Sequence, residues 1–273
     1  MAAFDNAQVA DAYSQLTAVI AGFSFSCLVG LLAYRFGASS KGALLDRRMQ
    51  SALLLFFSCF IGMTTSSLAY SVLSGMKDFA LALNVGHVVA GTGFGVAGLM
   101  GLLGIHQLVL CSGLRIEREI GIVAGSLVPV LITGYQVLGL YLVDGYGAAV
   151  FGLCVVLVTL AVASIAPHLK ASGDSLKSSS IWSHSTLSLV GLAFSSAPSL
   201  AVCILAALAQ NATVPIWPAY VAIVPTFIMS SWVMLTFQRV VENPPEAVIE
   251  PAVELAEKIS LEGPRVNSAE TGK

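Results

Sequence analysis

The placement of charge constrains this chain more than any other feature. Six windows contain no Lys, Arg, Asp or Glu: residues 12–34, 49–76, 79–114, 120–143, 145–169 and 178–238. A helix that crosses a bilayer needs about 20 apolar residues, and an ionised side chain at mid-membrane costs about 2.5–3.5 kcal/mol on the insertion scale. Five windows each fit one span, and 178–238 fits two, with a turn at 210–215 where Asn211 and Pro215 stand. The expected fold is therefore all-α, a polytopic membrane bundle of seven transmembrane helices near 13–34, 50–73, 79–111, 121–142, 147–166, 185–209 and 216–238. Only 10% of residues are charged, against about 25% in ordinary soluble domains, too few to cover a water-facing surface.

Basic residues set the orientation. With the N-terminus outside, Arg35, Lys41, Arg47, Arg48, Arg115, Arg118, Lys170, Lys177 and Arg239 flank spans on the cytoplasmic side, and Lys77 flanks one outside. That asymmetry follows the positive-inside rule. Dividing 79–114 into two short spans would flip every later loop and leave four of these cations inside against six outside. The chain is thus expected in the cell membrane as a multi-pass protein, N-terminus outside and C-terminus cytoplasmic. Residues 1–12 form the extracytoplasmic N-terminus, 13–241 the seven-helix transmembrane domain and 242–273 an acidic, largely disordered cytoplasmic tail. Residues 1–12 lack the Lys or Arg of a cleavable leader, so the first span is expected to insert uncleaved.

The tail carries seven glutamates together with Pro244, Pro245 and Pro251, and Ile249, Ala252, Val253, Ala256 and Ile259 recur at helical spacing. Its acidity repels an anionic inner leaflet. Beyond the lipid bilayer itself, the partner expected for it is a membrane or cytoplasmic protein. A net charge of −2 supplies no field for nucleic acid.

Gly93-Phe94-Gly95-Val96-Ala97-Gly98 spells the GxGxxG of a dinucleotide-binding turn. That turn needs a strand before it and a helix with a polar face after it. Here no charge occurs from Phe79 to Leu114, so a following helix could not face water. Read as a helix at about 100° per residue, the segment places Asn84, His87, Gly91, Gly95, Gly98 and His106 within about 100° of one another. Gly91 and Gly95 also form a GxxxG pair. In lipid, association rests on close backbone approach and interhelical hydrogen bonds, so Gly91, Gly95 and Gly98 are expected as a helix-packing seam.

His87 lies about eight residues below the outer end of this helix, and polar groups at such depth turn inward and need a partner. Tyr135 and Gln136 on the fourth helix, Tyr70 and Ser67 on the second and Gln15 on the first lie at matching depth. Asn84, His87, Tyr135 and Gln136 form the candidate pocket. His87 has two readings, a structural hydrogen-bonding residue or a ligand-site group.

Several chemistries lack their residues. Residues 216–238 contain neither the lysine of a retinal Schiff base nor the paired histidines of seven-helix zinc hydrolases. No carboxylate stands within a span to carry a coupling ion. The five cysteines, Cys27, Cys59, Cys111, Cys154 and Cys203, form no CxxC pair. No catalytic residue, cofactor or metal is expected. The function expected first is a non-enzymatic helical subunit or scaffold. The alternative is a transporter or binder of a small neutral or apolar solute, with an outward-facing pocket near His87.

Overall fold

A computed structural model describes residues 6–37, 43–76, 78–112, 120, 123–165, 184–209 and 214–242. Among them are seven α-helices: α1 (Asn6–Gly37), α2 (Ala43–Ser74), α3 (Ala80–Ser112), α4 (Val128–Asp144), α5 (Tyr146–Ile165), α6 (His184–Ala209) and α7 (Trp217–Glu242). No strand occurs among the described residues. Five helices, α1, α2, α3, α6 and α7, are long and apolar enough to cross a membrane, and α4 is a shorter apolar helix. In hydrocarbon every backbone N–H and C=O must be satisfied within the chain, and a helix does this locally. The chain divides into units 1–238 and 239–273. The tail helix expected after residue 242, the 210–213 turn and His168 lie outside the described residues.

The helices overrun the expected spans. α1 begins at Asn6 rather than at 13, and α2 at Ala43 rather than near 50. Charge limits a span, because lipid excludes it, but it does not end a helix. Residues such as Asp11, Arg47 and Arg48 continue the same hydrogen-bond ladder beyond the apolar segment. The extra turns of α1 bury Ala7 and Ala10 in the same core cluster as Tyr70, Leu83 and Val85.

Proline shapes the entry to α4. Pro129 occupies its first turn, and a π-helical turn, Val123–Leu127, runs directly into it. Pro129 has no N–H to give the carbonyl one turn back, and its ring crowds that carbonyl. A wider π turn relieves that crowding. At the other end Gly145 takes φ 63° and its N–H bonds the Tyr141 carbonyl at 2.8 Å, a positive-φ conformation that glycine adopts without Cβ strain. α5 then starts at once and packs against α4.

α3 is the central helix. Of its most apolar stretch, 78% is buried, against 17% for α1. It touches α2, where Cβ atoms at Gly101 and Gly104 would meet Cys59 and Phe56. It touches α6, where a Cβ at Gly93 would stand 2.6 Å from the Ser195 carbonyl oxygen. Thr92 donates its hydroxyl to the Ala222 carbonyl of α7 at 2.8 Å. Polar stitches join the other helices. Ser14 of α1 lies 2.7 Å from the Ser71 hydroxyl of α2, and Ser58 of α2 lies 2.6 Å from the Ser188 hydroxyl of α6. Such bonds are worth more to helix association in lipid than further apolar surface, since hydrocarbon already solvates Leu and Val.

Several helix termini meet at one end of the bundle. Asn6 at the start of α1 bonds Asn84 near the start of α3, and Tyr220 near the start of α7 bonds Asp144 at the end of α4. Phe151 of α5 packs edge-on against Tyr220.

Candidate functional site

At that end, α1, α3 and α4 enclose a pocket of about 160 Å³. α1 contributes Asn6 and Val9, α3 contributes Asn84, His87 and Val88, and α4 contributes Tyr135, Gln136, Leu138, Gly139 and Leu142. Asn84, His87, Tyr135 and Gln136, which share a depth along their helices, thus line one cavity. At 1.5 Å per residue, these polar groups sit within about 6–14 Å of the helix ends.

Helical geometry explains the convergence. Asn84, His87 and Val88 stand at i, i+3 and i+4 on one face of α3, while Tyr135, Leu138, Gly139 and Leu142 do the same on α4. Two glycines admit the close approach of these faces. A Cβ at Gly139 would lie 3.1 Å from Val88 Cγ2, and one at Gly91 would lie 3.0 Å from Gln136 Nε2. Gly91 is therefore the space into which the Gln136 amide fits.

The polar groups fall into two sets. Asn6 Nδ2 donates to Asn84 Oδ1 at 2.7 Å, and His87 Nε2 lies 3.0 Å from the Asn6 carbonyl. That carbonyl only accepts, so Nε2 carries the proton in this arrangement. These bonds tie the first turn of α1 down onto α3. Asn6, rather than any of the partners matched to His87 by depth, is its hydrogen-bond partner, although the Tyr70 ring does stand beside it at 5.8 Å.

Gln136 forms the second set alone. It is 2% exposed, and neither its Nε2 nor its Oε1 has a hydrogen-bond partner among the described residues. An orphaned buried amide costs about 1–3 kcal/mol. Large majorities of such groups in folded proteins are satisfied, so an exception calls for an explanation.

Aromatic rings close the inner side. Tyr13 of α1 stacks on Tyr70 at 5.3 Å, meets Phe94 edge-on at 6.0 Å and reaches Tyr135 at 6.1 Å. The contact with Tyr135 bridges α1 and α4, and the Tyr70 contact leads back to His87. A chain of rings therefore runs from one pocket wall to the other.

Among the described residues, no carboxylate, Lys, Arg, Cys or Ser lines the cavity. Its polar chemistry is that of amides, an imidazole and the Tyr135 phenol in an apolar frame. No cluster of three or more metal-ligating side chains occurs among the described residues. His106 is buried lower on α3.

The glycine seam divides among neighbours. Gly91 and Gly95 face Gln136 and Ile132 of α4, while Gly98 faces Met63 of α2 in ordinary contact at 3.7 Å. The tightest approach to another helix's backbone on α3 falls at Gly93, which the single-face reading omits because it lies about 200° from Gly91. Asn6 lies outside the span expected from residue 13, because α1 starts seven residues earlier than its apolar stretch. Leu138, Gly139 and Leu142 were legible from their spacing to Tyr135.

No family model matches the chain, and no curated protein or solved structure shows significant similarity to it.

Proposed function

We propose that this is a seven-pass cell-membrane protein, N-terminus outside and C-terminus cytoplasmic, that binds a small uncharged solute in the α1/α3/α4 pocket. The carrying observation is Gln136, a buried amide with both polar atoms unpartnered among the described residues, lining a cavity beside Asn84 and His87. A pocket with few, convergent polar groups in an apolar lining is what small-molecule sites usually look like. The meeting of Asn6 with Asn84 and of Asp144 with Tyr220 supports the alternating passage of helices that a seven-span, N-out chain requires.

The scaffold reading draws its support from elsewhere. Gly91, Gly93, Gly95, Gly98 and Gly101 all turn toward helices of this same chain, so α3 is already occupied as a packing surface. What remains for that reading is the Glu- and Pro-rich tail as a docking element for a cytoplasmic protein.

Two experiments test the proposal. A reporter enzyme fused after Ser74 is expected to be active outside the cell, and one fused after Arg239 only inside; the reverse pattern refutes the orientation. A thermal-shift screen of uncharged solutes, run in parallel on the native protein and on Gln136→Leu, is expected to yield hits on the native chain alone. Hits common to both proteins, or none on either, refute the binding site.

A further inference from the structure

The pocket is small and its rim is greasy. Its volume of about 160 Å³ is roughly half the lower bound of a drug-sized site, so it holds a small head group and little else. Its rim includes Leu138 and Leu142 of α4, which are 57% and 62% exposed. They continue an outward stripe through Leu127, Leu131 and Tyr135, all exposed and spaced three or four residues apart. In a membrane-spanning helix such a stripe faces acyl chains, not water. Inward passage is barred by the contact between Tyr13 and Tyr135.

We infer that the ligand enters sideways from the bilayer and is an uncharged amphiphile: a hydroxyl-bearing head seated on Gln136, with an apolar tail leaving over Leu138 and Leu142. This rests on the binding-site reading of the pocket. Gln136 presents an acceptor in Oε1 and donors in Nε2, so one group that both donates and accepts satisfies the two. A hydroxyl does so, whereas an ester carbonyl would leave Oε1 unpaired. A carboxylate or ammonium head finds no opposite charge among the described lining residues and loses its hydration on entry. The polar groups sit about 6–14 Å below the helix ends, near the depth where a lipid's glycerol hydroxyls lie and its chains begin.

The test uses the full-length protein in lipid nanodiscs and a monoacylglycerol carrying a photoactivatable diazirine in its acyl chain. Labelling is expected to saturate and to map to α4 around Leu138. Gln136→Leu should raise the half-saturating concentration about tenfold, as loss of a buried hydrogen-bonding group does. The paired exchange Leu138→Ser with Leu142→Ser, made on an exposed face, should weaken labelling without lowering the thermal midpoint. Neither glycerol nor the matching fatty-acid anion should compete. Competition by glycerol at concentrations matching the monoacylglycerol would overturn lateral entry while leaving the binding site standing. Competition by the fatty-acid anion would overturn the uncharged head. Labelling indifferent to Gln136→Leu, with glycerol binding equally indifferent to it, would overturn both this inference and the reading on which it rests.

Discussion

Gly93→Ala probes the closest approach of an α3 glycine to another helix's backbone. The added Cβ would stand 2.6 Å from the Ser195 carbonyl oxygen and 3.1 Å from Ser66 Oγ. The serine hydroxyl can rotate away; the carbonyl belongs to the α6 backbone and cannot move without its helix. Relief therefore requires α3 and α6 to separate by several tenths of an ångström along a seam that also holds Pro198. Overpacking costs about 1–3 kcal/mol, and a clash with backbone that cannot rotate away belongs in the upper part of that range, about 2–3 kcal/mol, partly offset by about 0.8–1 kcal/mol of better helix propensity for Ala over Gly. The net expectation is a loss of about 1–2 kcal/mol, which for a chain of this size corresponds to a fall of roughly 2–8 °C in thermal midpoint. Gly98→Ala is the internal control, because its Cβ meets only Met63 Cε at 3.7 Å, the far end of a flexible side chain. It should be neutral or mildly stabilising. Both variants are to be measured in the same detergent by thermal unfolding and by SDS titration. A Gly93→Ala midpoint within 1 °C of the native protein, or a larger loss at Gly98 than at Gly93, refutes the helix contact and the reasoning built on it.

Gln136→Leu should raise the ligand-free thermal stability by about 1–3 kcal/mol, because an orphaned buried amide is replaced by an apolar group of similar size; a lower midpoint would mean the amide is already satisfied. His87→Ala removes the bond to the Asn6 carbonyl, so amide hydrogen exchange should quicken in the first turns of α1 and stay unchanged in α6. Equal protection at Ala7 and Ala10 in both proteins would contradict that anchoring role. Ser188→Ala breaks the contacts to Ser58 and the Leu54 carbonyl and should cost about 0.6 kcal/mol, the average for interhelical hydrogen bonds in lipid, read as a small fall in midpoint. A loss above about 2 kcal/mol would exceed what such a bond supplies.

Different parts of this protein were legible at different distances from the sequence. Charge-free windows of 20 or more residues specify apolar helices locally, because burial of backbone in hydrocarbon leaves little else to form. The run from Phe79 to Leu114 therefore announced α3 and dismissed a nucleotide turn in the same stroke. Depth along each helix brought Asn84, His87, Tyr135 and Gln136 to a common level, and they line one cavity. Angle could not be fixed the same way. Apolar residues occur on every side of α3, so its glycines carry no mark of which neighbour each one meets, and Gly93 gave no sign of the α6 backbone against it. Asn6 was hidden because charge limits the membrane span but not the helix.

The sequence by itself determined that this chain forms apolar helices and where along them the polar groups lie, since both follow from interactions within a few residues. The tertiary structure decided which faces meet: Asn6 reaches across 78 residues to Asn84, and Gly91 yields its side-chain space to the Gln136 amide. Those pairings depend on how helices of nearly uniform greasiness rotate against one another. Hydrophobicity is blind to that rotation, and only close packing and a handful of hydrogen bonds select it.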